Sequence, residues 1–112
     1  MADRRQTLPP VTVDVVQRGP VPDGDADYAR SKVDHVIGYA NQPVLAAHVV
    51  LTMAEDPAMQ RPARAEASLD VRGTLIRAHG LASQMPGAVD ILEDKLRKNL
   101  TQYQERERTR HR

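Results

Sequence analysis

The chain has no cysteine, no tryptophan and no phenylalanine, and only three tyrosines in 112 residues. Without thiols there is neither a disulfide nor a thiolate metal site, and nothing points to an oxidising compartment. So few aromatics argue against the base-stacking platform that many single-strand binders use. Long apolar runs are missing too. No stretch approaches the ~20 residues needed to span a bilayer, and Met1–Pro10 does not resemble a signal peptide, so the expectation is a cytoplasmic protein with no membrane partner. The length suits one two-layer core and is too short for two.

Charge of both signs is present, and it is unevenly spread. The net charge is +1, yet from Lys95 onward seven Lys or Arg face only Glu105 and Glu107, while the preceding residues sum to −4. A basic end attracts polyanions by counterion release; a solvated charged tail is the alternative reading.

Most of that charge follows a helical stretch. In Pro86–Tyr103, Val89, Leu92, Leu96, Leu100 and Tyr103 recur at three- and four-residue steps, which stacks them on one face of a helix. Pro86 suits the first turn, where its missing N–H costs no intrahelical bond. Asp90, Glu93 and Asp94 precede Lys95, Arg97 and Lys98, the order that complements the helix dipole, and Asp94 and Lys98 have the spacing of an ion pair. With the leucines turned inward, Lys95 and Lys98 project outward as neighbours and Arg97 lies further round.

Taken in order, residues 1–10 read as a flexible leader ending in Pro9-Pro10. Val11–Gln17 alternates valine with polar residues as a half-buried strand. Pro22–Asp25 makes a turn, and Asp23, Asp25 and Asp27 stand where a helix start needs caps. The same acids resemble the opening of a calcium loop, but its glycine position holds Tyr28 and its bidentate glutamate position Asp34, so no metal is expected. A helix is predicted over Asp25–Tyr39, ended by Asn41-Gln42-Pro43. Val44–Ala54 reads as a strand with Leu45, Ala47, Val49, Leu51 and Met53 on one face. Ala65–Arg72 alternates strictly, Gly73-Thr74 reverses the chain, and Thr74–Ala82 is the next strand, its facing ambiguous because Leu75 and Ile76 are both apolar. The expected fold is α+β, β-α-β-β-β-α: a four-stranded mixed sheet with one parallel pair, and both helices packed on one face.

No catalytic set emerges. His35, His48 and His79 lack the spacing of metal ligands or of a nucleophile–base pair, and Gly73 and Gly80 fit no phosphate loop. Neither a cofactor nor a small-molecule substrate is expected. The outward cations remain as the candidate site.

The order of elements, SLDVRG–TLIRAHG and above all Ala88–Leu100 in AVDILEDKLRKNLTQY resemble the N-terminal domain of ribosome hibernation-promoting factors, also called ribosome-associated inhibitors or sigma-54 modulation proteins. The likeness spans Val11–Tyr103. It implies binding of the small ribosomal subunit at the decoding region of 16S rRNA, blocking mRNA and tRNA and storing idle ribosomes. Lys95 and Lys98 match the family's basic helix positions and Lys32 a basic position on the first helix; Arg30 and Arg97 are nearby additions. Where the family usually carries E-D-M-Y, this chain has Ser83-Gln84-Met85-Pro86. On this reading 11–103 is the ribosome-binding domain, 104–112 a basic C-terminal tail, and the 112 residues pair ribosomes through no dimerisation domain of their own. The rival reading is a protein-interaction module whose C-terminal helix extends to meet a partner helix; binding that does not fall with salt would favour it.

Overall fold

A computed structural model describes residues 11–110; the expected leader lies outside the described residues. The elements are β1 (Val13–Arg18), α1 (Asp25–Ile37), β2 (Val44–Met53), β3 (Ala63–Val71), β4 (Thr74–Ala82) and α2 (Met85–Arg110). They form one sheet in the order β1-β2-β3-β4. β1 lies parallel to β2, and the other two pairs are antiparallel. The α1 crossover makes the parallel pair, and short connections make the meander, as the sequence predicts.

Both helices cover one face, α1 over β1 and β2, and α2 over β3 and β4. Alternation on β3 sets that face: Ala63, Ala65, Ala67, Leu69 and Val71 are buried, while Arg64, Glu66, Ser68 and Asp70 are not. The alanines of β3 leave room for the leucines of α2, of which Leu92, Leu96 and Leu100 are wholly buried. Arg72 and Gly73, both with positive φ (55° and 90°), form the β3–β4 turn. Asp70 secures it by accepting the Gly73 N–H at 2.7 Å.

Two expectations are corrected and two open points are resolved. Leu45 is 62% exposed, because the register slips between Val44 and Ala46 and leaves Leu45 as the extra residue of a bulge. A one-residue insertion moves a side chain to the other face, so strict alternation fails at the start of β2. The ambiguity on β4 resolves with Ile76 buried and Leu75 half exposed. The first turn of α1 has no side-chain cap: Gly24 is the capping residue, and Asp25 and Asp27 follow it inside the helix. They act on the dipole, not as caps.

The apolar stripe ends at Tyr103, and the polar segment after it carries α2 on to Arg110. No glycine or proline interrupts the segment. Gln104 ties the added turns to the loop after α1, its Oε1 accepting the Asn41 N–H at 2.8 Å and its Nε2 donating to the Tyr39 carbonyl at 3.3 Å. Arg108 pairs with Glu105 and Arg110 with Glu107, each at helical i,i+3 spacing.

The bulge yields a paired prediction. Leu51→Ala empties a wholly buried site and is expected to cost about 2–5 kcal/mol, whereas Leu45→Ala is expected to stay within about 0.5 kcal/mol. Urea melts that rank the two the other way round would contradict the register.

Candidate nucleic-acid interface

The five cations singled out by sequence fall in three places. Arg30, on α1, turns back along its own helix: its Nη1 pairs with Asp27 at 2.8 Å, and its Nε donates to the Val13 carbonyl at 3.4 Å. It braces the outer edge of β1.

Lys32 and Arg97 lie in the seam between the helices. The Lys32 ammonium sits 3.8 Å from Glu93 and 5.3 Å from the Tyr28 ring centre. Glu93 also meets His35 Nδ1 at 2.9 Å. Arg97 stacks over Tyr39, 4.3 Å from its centre, and His35 packs against the edge of the same ring. Glu93 and Arg97, one turn apart on α2, thus grip successive turns of α1 and the loop after it. Cation–π contacts at such exposed sites contribute about 0.5–1 kcal/mol each. At the other end of the seam the Tyr28 hydroxyl donates to Asp90 Oδ1.

That bond raises the Tyr28 pKa from its usual 10.0, with partial burial and then the charges of Asp90 and Glu93 adding to it. Because the neutral phenol is favoured, the contact stabilises the fold below pH 10 and is lost as pH rises through the raised value. Alkaline ultraviolet titration is expected to find one tyrosine ionising late, and Asp90→Asn is expected to bring it down; identical titrations would remove Asp90 as the cause.

Lys95 and Lys98 occupy the outer side of α2. Ile91, Lys95 and Asn99 share one flank at i, i+4 and i+8. Asn99 Nδ2 donates to the Arg77 carbonyl of β4 at 2.7 Å, so this flank overlies the sheet edge. Lys95 and Lys98 are exposed, and neither makes an ion pair with a described residue. The Asp94–Lys98 pair suggested by spacing does not close. Eleven residues beyond Lys95, three turns up the same flank, stands Arg106, also exposed and without a described carboxylate partner. The structure therefore gathers Lys95, Lys98 and Arg106 on one rigid side and separates them from Arg97, Lys32 and Arg30, whose charges are partly spent on the protein itself.

Sequence reading left Arg106 in the basic tail without a role of its own. It also missed Tyr39 and Glu93, which hold the seam. The helical spacing of Arg106 from Lys95 was available as a signal; the meeting of Tyr39 with Arg97, 58 residues later in the chain, was not.

Among the described residues no three His, Asp or Glu gather where they could hold a metal ion, and no helix is long and apolar enough to cross a membrane. A mixed sheet is roofed on one side by two helices, and the outer side of α2 presents Lys95, Lys98 and Arg106 without a described carboxylate partner. The chain belongs to the Sigma 54 modulation protein / S30EA ribosomal protein family, whose model matches residues 17–108 and so includes most of the added turns of α2. Its fold is similar to that of the Thermus thermophilus Protein Y N-terminal domain, with 23% identity, a TM-score of 0.66, and coverage of 82% of this chain and 98% of that one. It is also similar to a ribosomal subunit interface protein from Coxiella burnetii, with 18% identity, a TM-score of 0.62, and coverage of 83% and 97%. A search of curated proteins returns no significant match.

Proposed function

We propose that this domain binds the small ribosomal subunit through 16S rRNA at the decoding region, and by occupying it blocks mRNA and tRNA and holds the ribosome idle. Family membership supports a ribosomal partner, as does the likeness in fold to a ribosomal subunit interface protein. The observation that carries the contact surface is the flank of Lys95, Lys98 and Arg106, fixed on a helix and without carboxylate partners among the described residues. Cations held in this way meet phosphates without first breaking internal ion pairs, and such contacts set position and shape, not base sequence.

The extension of α2 also bears on the rival reading, a helix that pairs with a partner helix. Gln104–Arg110 is QERERTR, with no apolar residue to form the stripe such pairing needs. The extension suits a polyanion better than a partner helix.

The reading predicts a steep response to salt. For Z neutralised phosphates the logarithm of affinity falls with the logarithm of salt at a slope of about −0.7Z to −0.9Z, so three contacts give a slope of about −2 to −3. Co-sedimentation with isolated small subunits at graded salt measures it, and binding that is flat across a several-fold rise in salt would exclude the mechanism.

A further inference from the structure

The face of the sheet away from the helices carries its own arrangement of charge. Register places His48 opposite Ser68 and Ser68 opposite Arg77, so one row across β2, β3 and β4 presents an imidazole, a hydroxyl and a guanidinium. The row spans two strand spacings, about 10 Å. In the next row His79 stands opposite Glu66. Between the rows the surface dips into a shallow depression of about 410 Å³, floored in part by Val50.

Among the described residues this face also carries three carboxylates, and each is already engaged. Glu66 is held by Arg64 Nε at 3.0 Å, Asp14 by His48 Nδ1 at 3.5 Å, and Asp70 by the Gly73 N–H at 2.7 Å. The bond from Arg64 keeps the Glu66 carboxyl below its usual range, with the charges of Arg64, His79 and Arg18 adding to it against partial burial. Arg77 and Arg18, by contrast, have no ion-pair partner among the described residues. Arg77 is anchored by its backbone, since Asn99 holds its carbonyl, while its side chain remains available.

We propose that this depression is a second RNA contact, in which Arg77, Ser68 and His48 take a phosphate of a single strand on the side of the domain opposite α2. The proposal rests on the RNA-binding reading above and adds a second face to it. A guanidinium is suited to paired hydrogen bonds with phosphate oxygens, and the serine hydroxyl and imidazole supply further donors across the row. Glu66 is held by Arg64 and Asp70 by the Gly73 N–H, so neither competes for Arg77, and Asp14 meets only the Nδ1 of His48. Two opposed contact surfaces would let the domain bridge two strands where one face alone would hold a single strand.

The test uses the full chain, isotope-labelled, titrated with a short oligouridine and followed by backbone amide shifts. Shifts are expected at His48, Ser68 and Arg77, and they are expected to persist in the Lys95→Glu/Lys98→Glu variant, in which the helical contact is removed. Arg77→Glu is expected to weaken oligouridine binding about tenfold in the folded protein and, by losing one contact, to lower the salt slope by about 0.7. Arg77→Gln, which keeps the side-chain stem, is expected to weaken it less. Shifts confined to α2 would overturn this inference and leave the helical contact standing. Shifts on the sheet face in a protein that fails to sediment with small subunits would support the inference while overturning the ribosomal reading. A face silent to oligouridine but protected when the domain sediments with small subunits would mark a protein contact, and would also overturn the inference.

Discussion

Small subunits are expected to release the Lys95→Glu/Lys98→Glu variant at salt concentrations where the wild-type chain stays bound. Each lysine is exposed and has no ion-pair partner among the described residues, so neither reversal breaks a described contact, and thermal stability should move by no more than about 0.5 kcal/mol. Binding has no such protection. A charge-assisted contact contributes about 1.5–3 kcal/mol, so losing two lowers affinity by at least about a hundredfold and more nearly a thousandfold, before the repulsion of two new carboxylates is added. Lys32→Glu makes an instructive contrast, because it places two carboxylates together at Glu93 and disturbs the seam. Its effect on binding should come with a measurable loss of stability. A folded double variant that sediments like wild type would move the interface off the outer side of α2.

The second large effect belongs to the fold. Replacing Gly80 with alanine is expected to lower stability by about 3 kcal/mol, at the upper end of what overpacking costs. A Cβ there would stand 2.4 Å from the Ala88 carbonyl oxygen and 2.9 Å from both Ile91 Cβ and the Leu92 nitrogen. Two of those three neighbours are helix backbone, which cannot rotate aside, so α2 would have to lift from β4. Since α2 carries the proposed interface, binding should weaken in step with stability. For a domain of this size the loss corresponds to a Tm lower by about 12–24 °C. An alanine variant melting within a few degrees of wild type would show that the strand and helix are not in such close contact.

Gly80 also marks the limit of what the sequence discloses. Inside a strand pattern it reads as an interruption, and its reason is a helix surface that begins eight residues later in the chain. The same division holds elsewhere. β3 is legible because it pairs on both sides and buries one face, so its polar and apolar residues alternate without exception. β2 misleads at Leu45 because an apolar residue in the correct alternation can still be displaced by a bulge, and the bulge is set by pairing with β3. α2 is legible up to Tyr103, where the apolar period ends. Its last turns rest on Gln104 reaching the loop after α1 and on ion pairs along the helix, and a polar segment carries no periodicity to announce either.

The candidate site was legible in part. Lys95 and Lys98 stand out because their helix is strongly amphipathic and its inward side is plain. Sequence proximity grouped Arg97 with them, but its position one turn after Glu93 turns it toward α1, where Tyr39 takes its charge. Lys32 and Arg30 were singled out as basic residues on a helix; whether such a residue is available depends on carboxylates and aromatic rings that the fold brings to it. The sheet face is not singled out by sequence, since His48, Ser68 and Arg77 become a row only once the register is known.

The proposed contact is the decoding region of the small subunit, met by the outer side of α2. Hydroxyl-radical footprinting of 16S rRNA, in small subunits saturated with the chain, tests it most directly. Protection of backbone riboses in the decoding region is expected, lost with Lys95→Glu/Lys98→Glu and with rising salt; protection elsewhere alone, or none with the protein demonstrably bound, would place the domain at another site.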